Sequence, residues 1–288
     1  MVTVLVNPVS GGGAAVRALP GIEAVLSEHK IEYTVKKTIK QGDSGKIARD
    51  AVAAGHDAII VAGGDGTIGE VLDGIVGSSL AIIYAPCGTG NDFVKSMHIP
   101  VDPIQAVKKQ IASPLRRLDY ATVNGKAFMN VCGTGFDVDV LKHLNAHRSK
   151  RKGMKAYLFA LKDALKYYKG REFEISVDGG PFEKRSLCIL SVGNGKYIGG
   201  GMKAVPDAVP YDGILNLVMV RTIKKILIPF LLPFFIFGKH YSLSITEAMP
   251  CKRVIIRSKG MTMQLDGELY DMDEADIAIV TGGVSVRY

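Results

Sequence analysis

Cysteine is scarce in this 288-residue chain, and its four cysteines, Cys87, Cys132, Cys188 and Cys251, are far apart and form no Cys-x-x-Cys pair. That spacing argues against a zinc site and against a small disulfide-stapled scaffold. The chain opens Met1-Val-Thr-Val-Leu-Val, with no basic leader and no cleavage site. No signal peptide is indicated, and a reduced cytoplasmic compartment is the expectation.

Long apolar runs are also missing. The most apolar stretch, Ile226 to Phe237, is interrupted by Pro229 and Pro233 and flanked by Lys224, Lys225 and Lys239. It falls short of the ~20 residues a spanning helix needs. It reads as a core segment, a dimer contact or a surface that dips into lipid. The chain is 47% hydrophobic and 22% charged, which excludes disorder, and its 33 glycines cluster without a collagen-like period. Length allows one large domain or two ordinary ones.

Acidic residues are the minority charge. The chain has 36 Lys+Arg against 28 Asp+Glu, a net charge of +8. Most of the excess lies between Lys142 and Glu174, where Arg148, Lys150, Arg151, Lys152, Lys155, Lys162, Lys166, Lys169 and Arg171 join Lys142 against Asp163, Glu172 and Glu174. Tyr157, Leu161, Ala164, Leu165 and Tyr168 recur there at helical spacing, so the segment reads as an amphipathic basic helix. Such a helix packs its apolar stripe on a core, or faces an anionic membrane or acidic substrate. No nucleic-acid-binding signature accompanies it, so nucleic acid is not expected as a partner.

The first third alternates strand and helix. Strands are expected at Thr3–Val6, Glu32–Lys37, Ala58–Ala62 and Leu80–Ala85. Helices are expected up to about His29, at Asp43–Ala54 and at Ile68–Val76, with Gly63–Thr67 as a loop. This alternation implies a parallel sheet covered by helices. After about residue 115 the pattern becomes mostly antiparallel β. Arg117–Val123 and Ala127–Val131 flank Asn124-Gly125, a hairpin signal. Further strands are expected at Glu172–Val177, Arg185–Val192, Leu215–Val220, Arg253–Arg257, Thr262–Leu265 and Ile277–Val280. A domain boundary is therefore expected near residue 120, between an α/β half and a mostly antiparallel β half.

The sharpest motif is Gly63-Gly64-Asp65-Gly66-Thr67 after a continuous apolar strand. Glycines let the chain leave the strand sharply and bring backbone N–H groups near a ligand. The helix that follows adds partial positive charge, which suits a phosphate. Asp65 is an acid in a place built for anions, so it must bind metal or accept a proton. Asn7-Pro8-Val9-Ser10-Gly11-Gly12-Gly13 and Gly88-Thr89-Gly90-Asn91-Asp92 would leave the same edge of the sheet, where ligands bind. Neither the Walker A nor the G-x-G-x-x-G fingerprint is present. In the second half, Asp207, Asp212, Asp266 and Glu268 supply acids for a Mg²⁺ site and a general base.

In order and spacing, Gly63–Thr67, Gly88–Asp92, Phe128-Met-Asn-Val-Cys-Gly-Thr-Gly-Phe-Asp137, Gly199-Gly-Gly…Pro206-Asp-Ala…Asp212-Gly and Asp266-Gly-Glu268 resemble the diacylglycerol kinase catalytic-domain family. The nearest members are the soluble bacterial lipid kinases, with sphingosine kinases as more distant relatives. The resemblance covers essentially the whole chain, and it implies an α/β nucleotide-binding domain over residues 1–120 followed by a β-sandwich substrate domain over 121–288, with the active site in the cleft between them and the last strand free to return to the first domain. It implies ATP contacts at Asn7, Pro8, Ser10, Gly11, Thr38, Gly63, Gly64, Asp65, Gly66, Thr67, Gly88, Thr89 and Asn91. It implies catalytic acids at Asp65, Asp266 and Glu268, and a structural Mg²⁺ held by the Asp212 carboxylate with the main-chain carbonyls of Val209 and Ile214. This chain departs from the family pattern at Gly69, where Asn is usual, and at Tyr211, where Asp is often found.

The function implied is an ATP-dependent lipid kinase that moves the γ-phosphoryl group of MgATP to a membrane-lipid hydroxyl, with diacylglycerol the leading acceptor. Either Glu268 or Asp65 would take the hydroxyl proton. The alternatives are an NAD kinase-like phosphotransferase and a non-catalytic nucleotide-binding membrane adaptor. The partner is a lipid at a membrane surface, a homodimer is allowed, and the expected location is the cytoplasm, peripherally at the inner face of the membrane.

Overall fold

A computed structural model describes residues 1–146 and 153–288, with side chains described for 1–146 and 159–288. Arg148, Lys150, Arg151 and Lys152 of the basic segment therefore lie outside the described residues, and the side chains of Lys155 and Tyr157 lie outside the described side chains.

The chain runs β1 (Val2–Val6), α1 (Ala14–Glu28), β2 (Tyr33–Lys37), α2 (Asp43–Ala53), β3 (Ala58–Gly63), α3 (Asp65–Ile75), β4 (Ala81–Pro86), α4 (Asp92–Ser96) and α5 (Pro103–Ala112). β1 pairs parallel with β2 and β3, and β3 with β4. Strand alternation sorts the side chains of β3 into two layers. Ile59 and Val61 pack with Ala48, Val71 and Leu72 of α2 and α3. Ala58, Ile60 and Ala62 pack with Ile22 of α1 and Val107 of α5. Both faces of β3 are thus dry, which is why its sequence is a continuous apolar run.

Next come β5 (Leu115–Val123), β6 (Lys126–Phe128), β7 (Val131–Gly135), α6 (Phe136–Ala146), α7 (Gly153–Tyr167), β8 (Arg171–Val177), β9 (Glu183–Gly193), β10 (Leu215–Arg221), α8 (Ile228–Ile236), β11 (Thr246–Cys251), β12 (Arg253–Leu265) and β13 (Glu268–Arg287). The β12–β13, β8–β9, β7–β9 and β9–β10 pairs are antiparallel. Their core includes Phe173, Leu190, Leu217, Ile256 and Met263. β13 joins the halves: it pairs antiparallel with β12, and its end pairs parallel with β4 through Ser285↔Ala81 and Val286↔Ile82. β5, which spans residue 120, pairs with β13 rather than with a nucleotide-half strand.

Four local expectations need correction. Asp65, Gly66 and Thr67 are not loop but the first turn of α3, because Gly64 is extended (φ −107°, ψ −171°) and the helix starts immediately after it. An acid in a first turn is favoured by the helix dipole. The expected strand Ala127–Val131 breaks at Met129 and Asn130, where the backbone N–H groups of 129, 130 and 131 turn to the Asp266 carboxylate. Arg253–Arg257 and Thr262–Leu265 form one strand, because a register shift between Arg257 and Met261 absorbs the polar segment between them. Ile277–Val280 is the middle of the much longer β13.

Pro233 lies inside α8 and has no N–H to donate, so the helix runs past one missing rung of its hydrogen-bond ladder. It ends at Gly238 (φ +71°), with Gly238 N–H donating to Phe235 O at 3.2 Å and Lys239 N–H to Phe234 O at 2.7 Å. That paired closure needs a left-handed residue, which glycine supplies without strain.

Candidate active site

Three loops leave β1, β3 and β4 at one sheet edge and pack backbone to backbone. A Cβ on Gly88 would lie 2.5 Å from Gly64 Cα, and one on Gly11 would lie 2.2 Å from Cys87 O. Cys87 N–H donates to Gly63 O at 2.8 Å, and Asn7 Nδ2 donates to Thr67 Oγ1 at 2.9 Å. Pro8 and Ser10 follow in the same turn, where Ser10 N–H bonds Asn7 O at 3.1 Å. Thr38 stands at the same edge, its N–H bonded to Val6 O at 3.0 Å. Gly64 caps α3 with no side chain over the helix N-terminus. The result is a cradle of close backbone with a helix start facing it, a donor arrangement that fits a nucleotide phosphate.

Asn91 has a structural place within this cradle. Its backbone is left-handed (φ 52°), its Oδ1 accepts Gly88 N–H at 2.9 Å, and its Nδ2 donates to Gly88 O at 3.0 Å. Both ends of the side chain fold the loop on itself, leaving Thr89 exposed at its tip.

Asp65 sits under this loop. Its Oδ1 accepts the N–H of Asp92 at 2.9 Å and of Phe93 at 3.4 Å. Burial, together with the neighbouring Asp92 carboxylate, pushes the Asp65 carboxyl above its ordinary range. Asp92 is itself buried, and its Oδ2 accepts Gly200 N–H at 2.8 Å while Lys95 Nζ approaches Oδ1 at 3.3 Å. Asp92 thereby ties the glycine segment at 199–201 to the nucleotide half.

Asp266 lies at the tight turn between β12 and β13, with φ +47°. Its two oxygens take the N–H groups of Met129 (2.7 Å), Asn130 (2.9 Å) and Val131 (3.0 Å). Burial nonetheless raises its carboxyl to about 7, against those three donors and with the Asp65 charge adding to the rise. Glu268 Oε2 accepts the Tyr270 hydroxyl at 2.6 Å, and Lys126 lies over the Tyr270 ring at 5.1 Å while pairing with Asp73.

Asp65 and Asp266 line two cavities. The smaller, about 40 Å³, also touches Gly66 and Glu268 on the side of α3. The larger, about 380 Å³, is walled by apolar side chains of α6, α8, β9 and β10, including Phe136, Val140, Ile189, Val220, Leu232 and Phe235. Among the described residues, no Lys or Arg lines it. Glu268 does not line it. Among the described residues, four buried polar atoms on its wall have no hydrogen-bond partner: Asp137 Oδ1, His240 Nδ1, Thr246 Oγ1 and Gln264 Nε2. Burial raises the Asp137 carboxyl to about 6.

The third acid group lies elsewhere. Asp212 is exposed, and its Oδ1 accepts Ile214 N–H at 3.0 Å, while Val209 O accepts Tyr211 N–H at 2.8 Å. Among the described residues no group of three or more His, Cys, Asp or Glu converges as a metal site. The donors at Val209, Asp212 and Ile214 are all oxygens, which suits a Mg²⁺ that keeps several waters. Asp207 is exposed and lines neither cavity. Sequence reading passed over Asp119, which is buried in β5. Its two oxygens accept Gly213 N–H and Gly282 N–H, each at 2.7 Å, so it clamps the Asp212 loop to β13. An acid inside an apolar strand segment, Leu118-Asp119-Tyr120, was the available signal.

Known proteins share this architecture. Residues 1–123 match the family described as the diacylglycerol kinase catalytic domain, and residues 130–286 the YegS C-terminal NAD kinase beta sandwich-like domain. The two-part organisation expected from the sequence agrees with that pair of matches. A Mycobacterium tuberculosis protein named "Diacylglycerol kinase" is 29% identical over 291 residues, covering 99% of this chain and 94% of that one. A Pseudomonas syringae pv. tomato protein named "Probable lipid kinase YegS-like" is 31% identical over 189 residues, covering 65% of this chain and 61% of that one. A crystal structure of a diacylglycerol kinase from Bacillus anthracis str. Sterne superposes with a TM-score of 0.78 at 22% identity, covering 100% of this chain and 96% of that one, which establishes the fold.

Proposed function

The chain belongs to the bacterial lipid kinase family built from a diacylglycerol kinase catalytic domain and a YegS C-terminal domain, and we propose that its acceptor is diacylglycerol. It is a kinase that transfers phosphate to a hydroxyl, and its family uses ATP. The observation that carries the acceptor reading is the apolar cavity that ends at Asp65 and Asp266. Its volume is in the range of sites that enclose small ligands. Four carboxyl groups, Asp65, Asp92, Asp137 and Asp266, line it, and no Lys or Arg does so among the described residues. Lys95 offsets Asp92, but the other three acids have no cation among the described lining residues, so the site disfavours an anionic acceptor such as NAD relative to a neutral lipid alcohol. That favours diacylglycerol over the NAD kinase alternative.

In this reading the acceptor hydroxyl oxygen bonds to the γ-phosphorus, the bond from that phosphorus to the ADP oxygen breaks, and the hydroxyl proton passes to a carboxylate. Asp65 is the better placed base, since it lines both cavities whereas Glu268 faces only the smaller. Its raised proton affinity suits that task. Asp266 holds the 129–131 turn against the site. The glycine cradle would bind the nucleotide phosphates through backbone N–H groups. Mg²⁺ would neutralise phosphate charge during transfer, and a second, structural ion would be held by Asp212 with the carbonyls of Val209 and Ile214. The retained Asp65 counts against a non-catalytic adaptor.

The test is γ-labelled ATP with Mg²⁺ and diacylglycerol in mixed micelles, a sphingoid base, NAD, or no acceptor. Label in phosphatidic acid supports the reading. Label in NADP or in a phosphorylated sphingoid base, with none in phosphatidic acid, overturns it.

A further inference from the structure

α8 has two apolar faces. Ile228, Leu231, Leu232 and Phe235, at helical spacing, line the large cavity. Phe230 and Phe237 are 72% and 68% exposed on the other side, with Phe234 also exposed and Ile226 70% exposed just before the helix. The paired closure at Gly238 shows that these rings belong to a formed helix rather than a frayed end. A cluster of exposed phenylalanines on one short element marks an interaction surface.

Its charge indicates the partner. Lys224, Lys225 and Lys239 are exposed at the two ends of the patch, and no acidic residue occurs from Ile223 to Thr246. A patch of one sign complements an anionic bilayer and repels a second copy of itself. No described helix is long and apolar enough to cross a membrane, so the contact would be peripheral.

We propose that α8 seats the enzyme on an anionic bilayer through Phe230, Phe234 and Phe237, and that the same helix forms the wall through which a lipid chain passes from the bilayer into the cavity. The passage half of this proposal rests on the lipid acceptor reading above. The chain leaves the bilayer beneath an apolar helix and enters an apolar cavity without crossing water, so the transfer avoids exposing it.

The sequence has no tryptophan, so Phe230→Trp introduces a lone tryptophan that can be excited selectively over the 11 tyrosines. Its emission is measured with vesicles of phosphatidylcholine alone and of phosphatidylcholine mixed with phosphatidylglycerol. A blue shift with the mixed vesicles, weakened by added salt, is the expected result. The double variant Phe230→Ser/Phe237→Ser is expected to sediment with mixed vesicles at least about tenfold more weakly. It should phosphorylate a short-chain, water-soluble diacylglycerol at the wild-type rate and long-chain diacylglycerol in vesicles far more slowly. An unshifted emission overturns the proposal, as does wild-type sedimentation of the double variant. A blue shift that appears on concentrating the protein without vesicles does so too, because it assigns the patch to a second copy. If no diacylglycerol is phosphorylated by the wild type, the acceptor reading falls, and the fluorescence and sedimentation results still decide the docking surface.

Discussion

The Asp65 carboxylate accepts the backbone N–H of Asp92 at 2.9 Å, and the Asp92 carboxylate in turn accepts the backbone N–H of Gly200 at 2.8 Å. Two acids therefore run in series from the start of α3, through the loop after β4, to the glycine segment of the second half. Each uses a backbone donor, so the acids are held by position rather than by a cation alone. The charge of Asp92 beside Asp65 then helps burial to raise the proton affinity of a residue that lines both cavities.

Asp65→Asn keeps a carbonyl oxygen for the Asp92 N–H and removes the proton acceptor. Turnover should fall by about 10²- to 10⁴-fold, the usual contribution of a positioned base. Thermal unfolding should stay close to wild type. The check is initial-rate transfer of labelled phosphate alongside a melting curve. Near-normal turnover would remove Asp65 from the base role and leave Glu268 to be examined in the same way.

Gly88→Ala places a methyl group 2.5 Å from Gly64 Cα, a backbone atom that cannot rotate away. The two loops must separate, and the phosphate cradle with them. ATP affinity should drop at least tenfold, about 1.4 kcal/mol, when measured by calorimetric titration of the nucleotide. An unchanged affinity would mean that the loops do not share the nucleotide.

The Asp266 carboxyl, at about 7 in the folded chain, sits well above an ordinary carboxylate near 3.9. Between those two values the folded form keeps a proton that the unfolded chain has released. The contribution of this group to stability is therefore full below about pH 4 and is lost as pH rises to about 7. Asp137, raised to about 6, acts in the same direction. Urea unfolding across this window should show wild-type stability falling with pH. Asp266→Asn should show a shallower slope, by up to about 1.4 kcal/mol per pH unit. Parallel slopes would contradict the assignment.

Much of this was legible in the sequence, for identifiable reasons. Ala58–Ala62 is dry on both faces, so its strand declared itself as a continuous apolar run. The glycines at 64 and 88 declared the loops because no side chain fits where their two backbones meet. The bracing role of Asp266 was hidden, since its partners at 129–131 lie about 135 residues away in the chain. The Asp92–Gly200 link and the Asp119 clamp on Gly282 were hidden for the same reason, at separations of 108 and 163 residues. A motif records which residues can turn or bind, but not which distant N–H groups will occupy a carboxylate. The apolar run at Ile226–Phe237 gave its composition away, but its division into a cavity face and an exposed face needed coordinates.

The most direct test of the account is to fill the cavity. Ile189 lines it from β9 and is only partly buried, so Ile189→Trp narrows the space with limited disturbance to the core. The kcat/KM for long-chain diacylglycerol should fall at least tenfold, about 1.4 kcal/mol in transition-state binding, while ATP affinity and transfer to a short-chain acceptor stay near wild type. An unchanged kcat/KM for the long-chain lipid would contradict the account, because the acceptor would then reach Asp65 by a route that does not use the cavity.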